Sequence, residues 1–188
     1  TVRNGKPEKV PLRGGGIDNE GILILKNCSI TNNLAVYGAG IFTRGTTVLE
    51  NCRIENNSTI KASLDIIRSG IGCVGSGGGM KTEAGADVRI ENSAFINNYS
   101  IKRGGGLFSA CETNVEIVNS TFINNACEER GGAICNKGDI FLTSVTVTKN
   151  SSRQRGGGFC NMGRASIKTS IFTDNYFKDF ANIDAHGV

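Results

Sequence analysis

Arg13, Arg103, Arg130 and Arg155 each stand immediately before a run of glycines, the last three on consecutive copies of one motif. A guanidinium offers planar donors that match carboxylate, sulfate or phosphate oxygens. If the motif copies stack at strand spacing, about 4.8 Å, the like charges repel unless anions bridge them, and the column could grip an anionic polymer. The alternative is a screened, exposed face neutralised locally by Glu128 and Glu129 beside Arg130. The glycine runs suggest another chemistry, a phosphate-cradling loop, most obviously in "RGGGLFSA" from Arg103. No G-x-x-x-x-G-K-[ST] occurs, no helical pattern follows any run, and six copies appear where a nucleotide enzyme needs one.

The remaining reactive residues form no evident catalytic set. Inverting glycoside hydrolysis needs two carboxylates about 6.5–9.5 Å apart. Glu50 and Glu91 are expected on consecutive coils, closer than that, with Lys26 as a neutralising neighbour. Asp18, Asp65, Asp87, Asp139 and Asp174 read as belonging to different columns, unlike a clustered Ca²⁺ site, and the single histidine, His186, lies three residues from the end. No catalytic residue, metal or cofactor is expected. Seven cysteines, Cys28, Cys52, Cys73, Cys111, Cys127, Cys135 and Cys160, contain no C-x-x-C pair, so zinc-motif spacing is absent and one thiol at least lacks a partner in the chain.

Composition narrows the class. The 188 residues suit one domain or a short repeat array. Glycine, at 26 residues, is about twice the average usage of ~7%, while proline is only two, which excludes collagen-like and Pro-rich disordered chains. The net charge of +4 permits anionic partners without demanding nucleic acid, and none is expected. No apolar run is long enough to span a membrane, and no signal-like segment opens the chain, which reads as a mature or trimmed product.

What must position these residues is a repeat. The units begin at Gly14, Gly38, Gly77, Gly104, Gly131 and Gly156, and only the second is long, by an insertion at residues 61–76 that should loop out. A second signature follows each glycine run: "NCSITNN", "NCRIENN", "NSAFINN", "NSTFINN", "SVTVTKN" and "TSIFTDN". Its last asparagine is Asn33, Asn57, Asn98, Asn125, Asn150 or Asn175, three residues after an apolar residue. Period-2 alternation joins the signatures, as in "VEIVNSTF", with β-branched residues and no sustained helical period. Each unit should hold two or three short strands, which cannot bury a face without stacking on their neighbours. The expected fold is all-β, a single-domain right-handed parallel β-helix of about six coils, with 1–13 as lead-in, 14–175 as repeats and 176–188 as tail.

Stacking turns each repeat position into a column. The asparagine column should be an inward ladder bonding side-chain amides to backbone, and the shorter column Asn27, Asn51, Asn92 and Asn119 should behave the same way. Cys28 and Cys52 should share an inward column as packed free thiols, and Cys135 and Cys160 an outward one in either redox state. That outward column also holds Phe42 and Phe108, interrupted by Asp18 and Lys81, while Ile96 and Ile123 form a second outward pair. Exposed apolar strips of this kind mark a protein-docking face, or lie under the insertion.

The alternation of "GGGL", "GGAI" and "GGGF" with "FINN", "FINN" and "FTDN" resembles the GGA(I/L) and FxxN repeats of chlamydial polymorphic outer-membrane proteins. That resemblance, over residues 14–175, implies an adhesive or scaffolding β-helix with no catalytic residues to carry over. The chain departs from the family pattern in lacking the membrane-barrel region. The expected role is a non-catalytic solenoid presenting a surface to a protein partner or an anionic polysaccharide. A structural subunit docked in a larger assembly is the second reading, and a polysaccharide lyase or hydrolase the third. The expected location is extracellular or cell-surface, with an organellar or cytoplasmic assembly as the other case.

Overall fold

Alternating residues such as Val115, Ile117 and Phe122 are fully buried while Asn114 beside them is exposed, so each strand feeds one side of itself into a common core. The structure, a computed structural model, describes residues 1–6, 12–61, 74–177 and the backbone strand Phe180–Asn182. Most of the 61–76 insertion, with Asp65 and Cys73, and the end of the tail, with His186, lie outside the described residues.

Every strand pairing is parallel, and each links a residue to its counterpart one coil away, as expected of a parallel β-helix. Among the described residues the first five coils contribute four strands each, rather than two or three, and the sixth contributes three. A three-residue strand follows the glycines (Leu107–Ser109), then come a five-residue strand (Asn114–Val118), a three-residue strand (Thr121–Ile123) and a two-residue strand (Ala126–Cys127). Their counterparts stack into sheets of seven, six, seven and five strands respectively. The lead-in and the tail extend two of the sheets: Val2–Arg3 pairs with the strand at Ser29–Thr31, and Phe180–Asn182 with that at Phe159–Asn161.

The core is a stack of like residues. Ile30, Ile54, Phe95, Phe122 and Val147 are wholly buried in one column, and the rings of Phe95 and Phe122 stack at 4.6 Å with 9° between planes. The asparagine column at residues 33, 57, 98, 125, 150 and 175 is a continuous ladder, each Nδ2 donating to the next Oδ1. The second asparagine set is not a ladder. Asn27, Asn51, Asn92 and Asn119 adopt φ of 47–54°, the left-handed bend that Asn tolerates best among non-glycine residues, and so turn the chain between strands. A polar column that sequence reading missed runs through Asn19, Thr43, Thr82, Ser109, Asn136 and Asn161, all buried; Asn136 donates to Asn161 Oδ1 at 2.8 Å.

The glycine runs make the sharpest corner. Gly104 has φ of +63°, and a Cβ there would lie 2.3 Å from the carbonyl oxygen of Leu107. Only glycine fits, and the residue before it, Arg103, is thereby aimed into a fixed column.

Candidate functional site

The pre-glycine column reads Arg13, Tyr37, Ser76, Arg103, Arg130, Arg155. Backbone bridges join Arg13 to Tyr37, Arg103 to Arg130 and Arg130 to Arg155, so the last three arginines are stacked on consecutive coils as expected. Their charges are compensated unequally. Arg13 pairs with Asp18 at 2.8 Å and with Glu20, and Arg103 pairs with Glu129 at 3.2 Å. Glu128, the other acid beside Arg130 in sequence, is taken by Arg153 at 2.6 Å and by the Tyr99 hydroxyl at 2.6 Å. Among the described residues no carboxylate lies within ion-pair distance of Arg130 or Arg155. Three buried side-chain polar atoms there lack a hydrogen-bond partner, Tyr37 Oη, Ser76 Oγ and Arg130 Nε, and all three belong to this one column. The column is donor-rich and acceptor-poor.

The neighbouring outward column corrects an expectation. Phe42 and Phe108, read as an exposed docking strip, are 2% and 0% exposed, and Cys135 and Cys160 beside them are wholly buried. Long cationic side chains lie on the rings, and apolar residues help cover them: Leu12, Ile60 and Val74 pack by Phe42, and Ala110 and Met162 by Phe108 and the cysteines. Arg13 sits 4.8 Å above the Phe42 ring, with Arg44 at 5.7 Å. Lys81, itself 1% exposed, places Nζ 4.6 Å from the Tyr37 ring centre, 5.7 Å from Phe42 and 5.9 Å from Phe108, and pairs with Glu83 at 2.5 Å. Arg130 reaches the sulfur of Met162 at 3.7 Å, which carries its side chain over the Cys135–Cys160 step. Apolar stems and ring faces shield each other from water while guanidinium and ammonium groups lie on the aromatic faces. Lys81, read as an interruption of the strip, is its cover. Ile96 and Ile123 do stack as in-register neighbours, both half-buried, flanked in their column by Glu55 and Thr148.

Six cysteines are described and all are free thiols. Cys28 and Cys52 stack, but their sulfurs donate to backbone carbonyls, Cys28 to Lys26 and Cys52 to Leu25 and Glu50, each at 3.3 Å. Cys135 and Cys160 are in-register partners on adjacent strands, and each thiol shifts the other. The interaction with Cys135, followed by the charges of Arg130, Arg103 and Arg155, lowers Cys160 against the opposing effect of burial. Cys127 nearby is pushed up to about 12, chiefly by burial.

The carboxylates require a second correction. Asp87 and Asp139, expected in different columns, share one: Asp87 aligns with Asn114, and Asn114 with Asp139. Turns of four residues precede these strands on the third and fourth coils, against two on the fifth and sixth, so counting from the glycines misplaces them. The step between long and short turns leaves an open groove of about 1050 Å³ lined by Asp87, Glu112, Lys137, Asp139 and Arg164. Two of its three acids, Asp87 and Asp139, are engaged. Asp87 accepts from Asn114 at 2.9 Å, and Arg164 grips Asp139 with two donors at 3.0 and 2.9 Å, holding its carboxyl below the usual range. Glu50 and Glu91 are salt-linked, to Lys26 at 2.6 Å and Arg89 at 3.2 Å. Among the described residues no three His, Cys, Asp or Glu side chains converge to hold a metal ion, and no helix is long and apolar enough to cross a membrane.

Comparison with curated proteins and with solved structures found no match. A family model described as the right handed beta helix region matches residues 12–178, nearly the whole chain, and the stacked parallel coils carry the same architecture. The chain belongs to the right-handed β-helix family.

Proposed function

We propose that this solenoid is a non-catalytic binding scaffold whose arginine column takes an anionic polysaccharide. The observation that carries the reading is the uncompensated pair Arg130 and Arg155. They stack on consecutive coils, while the acids nearest in sequence are committed to Arg103 and Arg153. Two arginines whose backbones stack about 4.8 Å apart repel each other, and a sulfate or carboxylate bridging their guanidinia relieves that repulsion while supplying acceptors to forked donors. Lack of catalysis is part of the proposal: Asp139, the groove acid with the strongest partner, is held ionised by Arg164 and is a poor proton donor. The resemblance to adhesive β-helix repeats points the same way. Docking through Phe42 and Phe108 is not proposed, because the chain's own cations cover them.

The test is retention on immobilised heparin, a sulfated chain, and on polygalacturonate, a carboxylated one, with dextran as the neutral control. Arg130→Gln and Arg155→Gln should each lower affinity about tenfold, the loss of one charge-assisted hydrogen bond. Arg53→Gln, whose guanidinium pairs with Glu55 on another sheet, should change little. Binding that survives the double substitution at Arg130 and Arg155 overturns the reading.

A further inference from the structure

Among the described cysteines, only Cys135 and Cys160 face each other as registered strand partners. They sit directly opposite on adjacent parallel strands, Ile134–Asn136 and Phe159–Asn161, and point to the same outward face. In-register parallel neighbours lie about 4.8 Å apart, inside the Cα range a disulfide accepts. Phe108 and Met162 wall the pair, and Arg130 crosses above it to Met162. We propose that Cys135 and Cys160 form an oxidisable dithiol that a small hydroperoxide converts to a disulfide, with Cys160 as the nucleophile that attacks the hydroperoxide and Cys135 as the resolving thiol. The proposal stands apart from the polysaccharide reading, although Arg130 serves both.

The asymmetry of the pair sets the roles. The charges of Arg130, Arg103 and Arg155 favour a thiolate at Cys160, while its neighbour Cys160 and burial push the Cys135 thiol up. The Cys160 thiolate attacks the terminal oxygen of the hydroperoxide; the S–O bond forms, the O–O bond breaks, and the departing alkoxide or hydroxide takes a proton. Sulfur is thereby oxidised to a sulfenic acid. The Cys135 sulfur then displaces that oxygen; the S–S bond forms, the S–O bond breaks, and the oxygen leaves as water with the Cys135 proton. Two thiols and one hydroperoxide give one disulfide, one alcohol or water, and one further water. The guanidinium of Arg130, whose Nε lacks an acceptor, can swing off the pair to admit the oxidant and donate to its oxygens. Cys52 shows the contrast: stacked on Cys28, it is raised chiefly by burial, with no arginine charge acting on it.

The experiment treats the native protein with limiting hydrogen peroxide, alkylates the remaining thiols and maps the peptides by mass spectrometry. The expected result is a Cys135–Cys160 cross-link with loss of both thiols, while Cys28, Cys52 and Cys127 remain alkylatable after unfolding. In Cys135→Ser, dimedone should trap a sulfenic acid on Cys160; in Cys160→Ser, no adduct should form on Cys135. Oxidation of the exposed Cys111 while Cys135 and Cys160 stay reduced in the wild type overturns the proposal, and so does an adduct on Cys135 in Cys160→Ser. The wild-type measurement needs no variant to fold.

Discussion

Asn98 Nδ2 donates to Asn125 Oδ1 at 2.9 Å, and the same oxygen accepts the Asn98 backbone N–H at 3.0 Å, across 27 residues of sequence. Asn125 repeats both bonds to Asn150, at 3.0 and 2.8 Å, and spends its second amide hydrogen on Phe95 O at 2.9 Å. A side chain that satisfies the backbone of the coil before it and is satisfied by the coil after it ties neighbouring coils in register. The asparagine ladder is therefore a coupling between coils, in the nearest-neighbour sense of repeat proteins, and it keeps the arginine column aligned.

Removing one rung should be costly. Asn125→Ala strips the acceptor from two buried Asn98 donors and a donor from Phe95 O, and should destabilise by about 3 kcal/mol. Thermal unfolding should shift down by roughly 6–12 °C for a chain of this size. Asn125→Asp keeps the acceptor but loses both side-chain donors and should be no better, because its charge would be buried. An Asp variant as stable as wild type would show that the oxygen alone matters.

Glycine tolerance should divide sharply by position. A Cβ at Gly105 would lie 2.3 Å from Gly132 O and 2.4 Å from Ala126 O, both backbone atoms that cannot yield without opening the stack. At Gly21 a Cβ meets nothing within 4 Å. Gly105→Ala should abolish folding or cost more than about 3 kcal/mol, as overpacking does at its upper end, while Gly21→Ala should be neutral or gain about 0.5 kcal/mol. Comparable melting curves for the two would contradict the close stacking of glycines between coils.

The coils and the ladder were legible because their residues recur in identity and spacing, and a column occupied by asparagine six times has one consistent placement. The outward face was not. Which column a residue joins follows from the repeat, but where a long arginine or lysine side chain then lies depends on what it can cover, and Phe42 and Phe108 offered aromatic faces to Arg13 and Lys81. The Asp87–Asp139 column was hidden for a different reason: turns two residues longer on two coils break the count from the glycines. Backbone pairing restores it.

The Asp139–Arg164 pair should give a pH signature. Hydrogen bonding to Arg164 is the main cause of the lowered Asp139 carboxyl, with burial opposing and the guanidinium charge adding. A carboxyl lowered in the folded state contributes stability above its unfolded value, about 3.9, and loses that contribution as pH falls through the folded value. The effect is small, because the pair is exposed to solvent. Following the Asp139 carboxyl by NMR, Arg164→Gln should move its midpoint upward, and the melting difference between variant and wild type should shrink as pH falls below about 4. An unmoved midpoint would assign the lowering to something other than Arg164.

Lys81 offers the most discriminating substitution. Its side chain is nearly inaccessible, roofs three aromatic rings and meets a half-exposed carboxylate in Glu83. Two contributions compete there: volume that keeps Tyr37, Phe42 and Phe108 packed, and a buried ammonium whose loss of hydration offsets its attraction to Glu83 and the rings. If packing dominates, Lys81→Met, which keeps the stem, should match or exceed wild-type stability, whereas Lys81→Ala leaves a cavity costing about 3 kcal/mol. If charge dominates, Met and Ala should be equally damaging, and Glu83→Gln should weaken the fold as well. We expect the first pattern, because Glu83 keeps access to water and tolerates losing its partner. Paired thermal melts of the three variants, with tyrosine fluorescence reporting the burial of Tyr37, decide between them.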